Sequence, residues 1–305
     1  MILVMVEPGE LSLEALTLAR GLGGPVEAVV FDEVPGGLGA YGVSRVHVVG
    51  LAEYAPGAWA QSIVGLVREL APEAVVAAGS DRGQEVLAHA AVRLDAPMAA
   101  NCVAAEPGEP WLVTRQRWGG SLLEEARLHG PVRLLTVAPH GLVAEPAPQS
   151  AEAAVVEVAP DLDDDDYRVM VSRREEPVAG TVQLGDARVV VGGGRGVGSA
   201  EGFAALEELA GLLGGAVGGS RVVTNLGWRP HSDQIGQTGA RIAPDLYIAC
   251  GVSGAIQHMV GCKGAKRILA INKDPQAPIV ARADYAVIGD LAEILPAVVA
   301  ELKRT

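Results

Sequence analysis

Residues 187–203 read ARVVVGGGRGVGSAEGF, an apolar run that passes directly into a cluster of glycines. The run Ala187–Val191 predicts a β-strand, and the residues from Ala200 to Leu213 predict a helix. This order favours an anion site, because glycine lets the backbone come close and the first N–H groups of a helix point at the ligand. Arg195 lies within the turn and adds a fixed positive charge that fits a phosphate.

The standard nucleotide motifs do not match this turn. GxGxxG read from Gly194 ends at Ser199, and read from Gly192 it ends at Val197. No Gly-Lys-Ser/Thr follows, so the turn is not a P-loop. On spacing alone, a tight turn that serves only packing stays an alternative to a phosphate site.

Short apolar runs alternate with amphipathic stretches along the whole chain, which is typical of an α/β fold. The predicted strands are Ile2–Val6, Val26–Val30, Val46–Val49, Ala74–Ala78, Trp111–Thr114, Val132–Val137, Ala187–Val191, Leu246–Ala249, Arg267–Ile271 and Tyr285–Ile288. The predicted helices are Glu10–Leu22, Trp59–Leu70, Gly83–Leu94, Ala200–Leu213, Ser253–Cys262 and Asp290–Lys303. We expect two domains, an N-terminal Rossmann-like domain with a parallel sheet over residues 1–184 and a C-terminal doubly wound domain over residues 185–305.

An acidic segment marks the expected junction. Residues 161–166 read DLDDDD, and we interpret residues 161–184 as a linker whose like charges repel and stay in solvent. A metal site is the alternative interpretation of five carboxylates, although their spacing does not match a calcium-binding loop.

The composition limits the classes of partner. The chain has 24 Lys and Arg against 37 Asp and Glu, a net charge of −13, which disfavours nucleic acid or an anionic membrane as the main partner. The apolar runs are too short to span a bilayer, and the N-terminus lacks the basic region of a signal peptide. Three cysteines without a CxxC pair predict neither a disulfide framework nor a structural zinc. We therefore expect a cytoplasmic protein that does not insert into a membrane.

Five further motifs follow the glycine-rich turn. Gly219-Ser220-Arg221 precedes an apolar, strand-like run. Residues 234–239 read QIGQTG, whose amides, hydroxyl and glycines suit a loop that donates N–H and O–H groups to a ligand. Residues 250–258 read CGVSGAIQH, with Ser253 expected as the N-cap of the next helix. AINKDP at 270–275 ends another strand, and Asp290-Leu291 opens the last helix. The glycines of this part of the chain are expected at strand ends, the edge where parallel sheets bind ligands.

These motifs, in this order and spacing, resemble the alpha subunit of electron transfer flavoprotein. The resemblance extends from about Ala187 to the C-terminus, with Asn225-Leu226-Gly227-Trp228 in place of the family's usual Asp-Ala-Gly-Phe and Ile235 where valine is common. It implies an FAD-binding C-terminal domain and an N-terminal domain that contacts a beta subunit. It also implies a carrier that takes electrons from acyl-CoA-type dehydrogenases, as in fatty acid beta-oxidation, and passes them to a membrane-associated quinone oxidoreductase.

The same resemblance implies the residues that contact FAD. Arg195 and Ser220 would lie near the diphosphate, and Arg221 beside the isoalloxazine ring. Asn272, Asp290 and Leu291 would hold the adenosine end. The residues expected along the flavin, ribityl and phosphate portions are Ile235, Gly236, Gln237, Thr238, Ser253, Gly254, Ala255, Ile256, Gln257 and His258.

The chemistry expected of this site is electrostatic control of the flavin. Arg221 is permanently charged and would stabilise negative charge on the reduced ring. His258 would add to that effect, either as a cation or as a hydrogen-bond donor to the ring oxygen O2, and Thr238 would donate near N5.

Two other functions compete with the carrier. One is a nucleotide-dependent oxidoreductase with its own substrate, which needs an acid or base motif that these loops lack. The other is a subunit of a bifurcating complex with a second flavin on its partner. We expect no catalytic residue and no metal site, and the sequence leaves open whether the beta subunit carries AMP or FAD.

Overall fold

The computed structural model describes residues 1–51, 53–150, 152–172 and 182–304. Contacts divide the chain into two compact units, Met1–Arg174 and Glu175–Thr305. Residues 173–181, which belong to the predicted linker, lie outside the described residues. The two units are described separately below.

The first unit is a nine-stranded sheet covered by helices. Its strands are β1 (Ile2–Met5), β2 (Val26–Phe31), β3 (Val43–Val49), β4 (Ala74–Ala78), β5 (Met98–Glu106), β6 (Trp111–Arg117), β7 (Leu122–Leu128), β8 (Arg133–Val137) and β9 (Ala154–Val158). Its helices are α1 (Glu10–Gly21), α2 (Pro56–Leu70) and α3 (Asp81–Leu94). The strands lie in the order β7-β6-β5-β8-β4-β1-β2-β3-β9.

Helices cover both faces of this sheet, which explains why its central strands are apolar at almost every position. One core lies between α1 and the sheet, and it includes Leu16. A second core lies on the opposite face under α2 and α3, and it includes Ile63 and Leu87. The predicted Rossmann-like parallel arrangement is confirmed for the strands from β8 through β4 and β1 to β9.

One edge of the sheet departs from the purely parallel arrangement. Strand β5 pairs antiparallel with β6, and β6 pairs antiparallel with β7 through the turn at Trp118–Gly120. The predicted strand Trp111–Thr114 lies within β6. Strands β5, β7 and β9 were not predicted, because their half-exposed residues alternate only weakly in polarity.

The acidic segment is more ordered than the linker interpretation allows. Asp163 and Asp166 form a capping box around a 3-10 turn at Asp164–Tyr167. Asp166 is buried, and its carboxylate accepts a 2.6 Å bond from Arg93 Nη1 on α3. For Asp166 the prediction of a solvent-exposed carboxylate is therefore wrong, because an ion pair with α3 offsets the cost of burial.

The second unit is a five-stranded, all-parallel sheet. Its strands are β10 (Val189–Gly193), β11 (Ala216–Gly219), β12 (Leu246–Cys250), β13 (Ile268–Asn272) and β14 (Tyr285–Ile288), in the order β11-β10-β12-β13-β14. Its helices are α4 (Phe203–Leu212), α5 (Arg221–Asn225), α6 (Ile256–Cys262) and α7 (Leu291–Leu302). Residues of α4 and α7 pack on one face and those of α6 on the other, so the doubly wound fold is confirmed.

Two local predictions in this unit are wrong. The apolar run after Ser220 is the short helix α5 rather than a strand, because the adjoining strand β11 ends at Gly219 and the chain turns there. The N-cap of α6 is Ala255 rather than Ser253, since the chain first passes Gly254 with φ of 78°. No helix among the described residues is long and apolar enough to cross a membrane.

Candidate functional site

Backbone hydrogen bonds gather the predicted loops at the carboxyl edge of the second sheet. Ser220 N–H donates to the Gly193 carbonyl at 2.9 Å, and Gly194 N–H donates to the Cys250 carbonyl at 2.9 Å. The IGQTG loop joins the same edge, because Gln237 N–H donates to the Gln257 carbonyl at 2.8 Å. Segments that are separated by up to about 60 residues therefore form one surface.

This surface lies where parallel sheets bind ligands. The chain goes from β10 outward to β11 and then returns to β12 on the other side. The crevice between β10 and β12 is a topological switch point, and ligands of open α/β sheets bind outside the strand ends at such points.

The glycines of the turn are required mainly by the protein's own packing. A Cβ on Gly192 would lie 2.6 Å from Cε2 of Tyr247, and one on Gly193 would lie 2.5 Å from the Phe203 ring. A Cβ on Gly196 would lie 2.7 Å from the Gly251 Cα atom, so the chain passes here backbone against backbone. Packing within the protein thus explains these glycines. Because glycine has no side chain, the bottom of the crevice, which we call its floor, carries few side chains.

Two cations at this edge lack an ion pair. Most basic side chains of the second unit have acidic partners; among the residues described, Arg195, Arg221, Arg241 and Arg282 have none. Arg195 follows β10 and Arg221 follows the adjacent β11, and both are exposed. Two guanidinium groups that follow adjacent strands, without an ion pair among the described residues, fit a diphosphate or another anionic group.

The IGQTG loop presents some groups outward and buries others. Gln237 and Thr238 are exposed, whereas the Ile235 side chain is 1% exposed and packs against Gly218. Gly236 is also buried, against the Gln257 carbonyl. Only Gln237 and Thr238 in this loop therefore offer side chains to a ligand.

The SGAIQH segment also combines exposed and buried residues. Ser253, Ala255, Ile256 and Gln257 are exposed, and Gly254 is buried against Ile279. The loop is fixed by the bond from Ile279 N–H to the Ser253 carbonyl at 3.1 Å. The Ser253 hydroxyl is thus accessible although it does not cap the helix.

His258 is held inside the unit rather than on its surface. Its Nε2 lies 2.7 Å from the hydroxyl of Tyr247, which has no exposed surface. Burial lowers the pKa of His258 to about 4 and raises the pKa of Tyr247 well above its usual value, so both groups are neutral at pH 7. The cationic form considered for His258 is therefore wrong. The donor alternative stays a prediction; Nδ1 is buried, and the backbone of Ile235 lies near enough to the ring to oppose part of the fall in its pKa.

The residues expected at the adenosine end also stabilise the fold. Asn272 donates from Nδ2 to the Val252 carbonyl at 2.8 Å. Asp290 caps α7 through Ala292 N–H and pairs with Lys273 Nζ at 2.7 Å, and these contacts lower its pKa. Leu291 is 8% exposed and belongs to the core under α4 and α7. Of these three residues, Asn272 and Asp290 keep polar atoms near the edge.

Two buried residues support the site. Gln234 is 2% exposed and bonds to both Thr224 and Thr238, and Tyr247 bonds to His258. The sequence placed Gln234 in a loop that offers its amides to a ligand, but the fold turns this side chain inward; Tyr247 was not singled out. Within the described ranges, no group of three or more His, Cys, Asp or Glu could hold a metal ion.

Comparisons with known proteins agree with this geometry. Residues 2–163 match the electron transfer flavoprotein domain, and residues 183–263 match the electron transfer flavoprotein FAD-binding domain. A flavoprotein of the electron-transfer class is thereby defined, and its cofactor is FAD.

The similar proteins align with most or nearly all of the chain. The electron transfer flavoprotein subunit alpha of Thermoanaerobacterium thermosaccharolyticum is 34% identical over 95% of this chain and 91% of its own length. That of Mycobacterium tuberculosis is 37% identical over 99% of this chain and 98% of its own length. Protein FixB of Clostridium saccharobutylicum is 37% identical over 83% of this chain and 77% of its own length. The chain belongs to the electron transfer flavoprotein alpha-subunit family.

The residues at the crevice fit FAD on structural grounds as well. Arg195 and Arg221 leave positive charge uncompensated at adjacent strand ends, as a diphosphate requires. Exposed Gln237, Thr238 and Gln257 add polar groups that can bond to a ring or a sugar. When bound, FAD would supply the electron-accepting chemistry, and the chain would supply binding and electrostatics.

Proposed function

We propose that this chain is the alpha subunit of a heterodimeric electron transfer flavoprotein. In this proposal it pairs with a beta subunit through its first unit and holds FAD in its second, from residue 185 onward. It receives electrons from acyl-CoA-type dehydrogenases and passes them to a membrane-associated quinone oxidoreductase. It works in the cytoplasm as a carrier and converts no substrate of its own.

The observation that carries the proposal is the pair of arginines without an ion pair among the described residues, which follow the adjacent strands β10 and β11. Arg195 and Arg221 follow adjacent strands within the region that matches the FAD-binding domain. A positive charge in a crevice stabilises both a diphosphate and negative charge on a reduced ring. This arrangement supports a site that controls electron affinity.

We assign the site residues as follows. Arg195 and Ser220 contact the diphosphate, Arg221 lies beside the flavin ring, and Thr238 donates toward N5. Asn272, Asp290 and Leu291 surround the adenosine end, the last of them through its backbone. The remaining contacts along the flavin and ribityl chain come from Ile235, Gly236, Gln237, Ser253, Gly254, Ala255, Ile256, Gln257 and His258.

The test is co-expression with a beta subunit, followed by stepwise reduction of the purified complex. We expect bound FAD that accepts electrons from an acyl-CoA-type dehydrogenase and shows no turnover without an external acceptor. A complex purified without flavin would refute the proposal. Reduction of a second, low-potential acceptor would instead assign the chain to a bifurcating complex.

The charge of Arg221 gives a sharper test. We expect Arg221→Ala to lower the potential of the first electron step by about 60 mV, a tenfold change in the one-electron equilibrium, since a cation near the ring is lost. The matched control is Arg267→Ala, because Arg267 is exposed, pairs with Asp284 and precedes β13 at the opposite edge of the sheet. Equal potentials in the two variants, measured by spectroelectrochemistry, would remove Arg221 from its assigned role.

A further inference from the structure

A chain of three polar side chains lies beneath the exposed IGQTG loop. The Thr224 hydroxyl lies 2.7 Å from Oε1 of Gln234, and Nε2 of Gln234 lies 3.0 Å from the Thr238 hydroxyl. The same Nε2 lies 3.2 Å from the Thr238 carbonyl oxygen. Gln234 is buried, whereas Thr238 is exposed at the carboxyl edge of the sheet.

The Thr238 carbonyl fixes which way the Gln234 amide faces. A carbonyl oxygen only accepts hydrogen bonds, so the group that faces it at 3.2 Å is the NH₂ group rather than Oε1. The reversed amide would place two oxygens against each other in a buried position. Oε1 therefore faces Thr224, whose hydroxyl donates to it.

This orientation decides the role of the Thr238 hydroxyl. One N–H of the amide goes to the Thr238 carbonyl and the other to its hydroxyl oxygen, so that oxygen already accepts a bond from inside the protein. Its own proton lacks an acceptor within the described part of the chain. Because Thr238 is exposed, the proton is available to a ligand on the surface.

We infer that Gln234 is a positioning residue that makes the Thr238 hydroxyl a hydrogen-bond donor to the bound ligand. The atom that it recognises is then an acceptor without a hydrogen, such as a ring nitrogen or a carbonyl oxygen of the flavin. The inference rests on the proposed function for the identity of this ligand. Gln234 does not touch the ligand and acts only through Thr238.

The experiment compares variants of Gln234 in the complex with the beta subunit, loaded with ¹⁵N-labelled FAD. Gln234→Glu offers only acceptor oxygens when ionised and draws the Thr238 proton inward. Gln234→Met has a similar length and leaves the hydroxyl free to rotate. We expect the ¹⁵N resonance of one flavin nitrogen, or the ¹³C resonance of a ring carbonyl in ¹³C-labelled FAD, to lose its hydrogen-bond shift, most in Gln234→Glu. We also expect the Kd for FAD to rise about tenfold in that variant.

Two controls separate positioning from general destabilisation. Gln276→Glu makes the same chemical change at an exposed position of the same unit and should leave both readouts unchanged. In a Thr238→Val background, Gln234→Glu should add nothing further, because its route to the ligand has been removed.

The outcomes are distinct. If FAD binds and its resonances match in wild type, Gln234→Glu and Gln234→Met, the inference is wrong. It is also wrong if the effect of Gln234→Glu persists without the Thr238 hydroxyl. A wild-type complex that binds no FAD would instead overturn the proposed function.

Discussion

Glu14 is a buried carboxyl group on α1 beneath the loop at residues 140–142. It is 3% exposed, its Oε1 lies 3.6 Å from His140 Nδ1, and its Oε2 is buried. Burial, aided by the charge of Glu10, raises its pKa to about 7, against the partial opposition of backbone N–H groups of the loop. The fold therefore disfavours the ionised form of this side chain.

This raised pKa predicts how stability depends on pH. Below pH 4.5 the Glu14 carboxyl group is protonated in both the folded and the unfolded protein, so it does not lower the free energy of unfolding. As the pH rises toward 7, the carboxyl group ionises first in the unfolded protein, and the free energy of unfolding therefore falls. We expect Glu14→Gln, which cannot ionise, to gain about 2 kcal/mol relative to wild type between pH 4.5 and 7.5. Urea unfolding at several pH values measures the difference.

Glu69→Gln is the matched control, because Glu69 is an exposed glutamate on α2. Its stability relative to wild type should stay nearly constant over the same pH range. If the stability of Glu14→Gln relative to wild type is also independent of pH, Glu14 ionises in the folded protein as readily as in the unfolded chain.

The neutral state of His258 changes the balance of charge at the crevice. With its pKa near 4 and a hydrogen bond to Tyr247, the ring brings no positive charge at pH 7. The positive potential at this edge then comes from the arginines. Under the proposed function, electrostatic control of the flavin would then depend on Arg195 and Arg221 more than the sequence motif implied.

At the scale of elements, the end of β10 leaves no room for a side chain at Gly192. Tyr247 on β12 fills the space beside Gly192, and its hydroxyl then meets His258 on α6. We expect Gly192→Ala to cost about 2 kcal/mol in the free energy of unfolding, because an added methyl group overpacks a dense core. Urea denaturation measures this change.

Gly211→Ala serves as its control. A Cβ on Gly211 meets nothing within 4 Å, and the residue lies in α4. Alanine is favoured over glycine in a helix, so this variant should be as stable as wild type or more stable by up to about 1 kcal/mol. If Gly192→Ala behaves in the same way, the tyrosine can move aside and the packing requirement is absent.

The elements that could be predicted are those whose patterns are local. Strand β4 (Ala74–Ala78) has the predicted bounds, because a buried parallel strand is a continuous apolar run. Strand β14 (Tyr285–Ile288) also has the predicted bounds, although its residues are exposed. The helix α5 was mistaken for a strand, since Val222 and Val223 favour either state and the end of β11 decides. The cap of α6 depends on the turn at Gly254, which residue preferences alone do not specify.

The candidate site shows the same limit. Its segments and its exposed arginines could be predicted, because each motif stands at a strand end in the sequence. The inward turn of Gln234 and the burial of His258 could not, because they depend on contacts with residues 4 to 11 positions away in the chain. Local sequence patterns thus indicate which segments form the candidate site, whereas burial decides whether each side chain is protonated and whether it points inward or outward.

At the scale of the whole molecule, the two units should respond differently to FAD. A ligand stabilises the structure that it binds, by about 2.7 kcal/mol when present at 100 times its Kd. We expect FAD to slow amide exchange in the complex with the beta subunit at residues 192–198, 219–221, 234–239 and 251–258. The ends of β1 and β4 in the first unit should change little. Hydrogen-exchange mass spectrometry with and without FAD measures this, and slowing confined to the first unit would place the ligand elsewhere.

The contact of Gly196 with Gly251 has a consequence for protein engineering. Since backbone meets backbone there, with a Cβ on either glycine 2.7 Å from the other's Cα atom, this part of the crevice floor has no side chain to exchange. A designer who wishes to change the electron affinity of a bound cofactor must work from the rim, at Arg221, Gln237, Thr238 or Gln257. Under the proposed function, the backbone floor would limit where the cofactor lies, and these exposed positions would be the ones to vary.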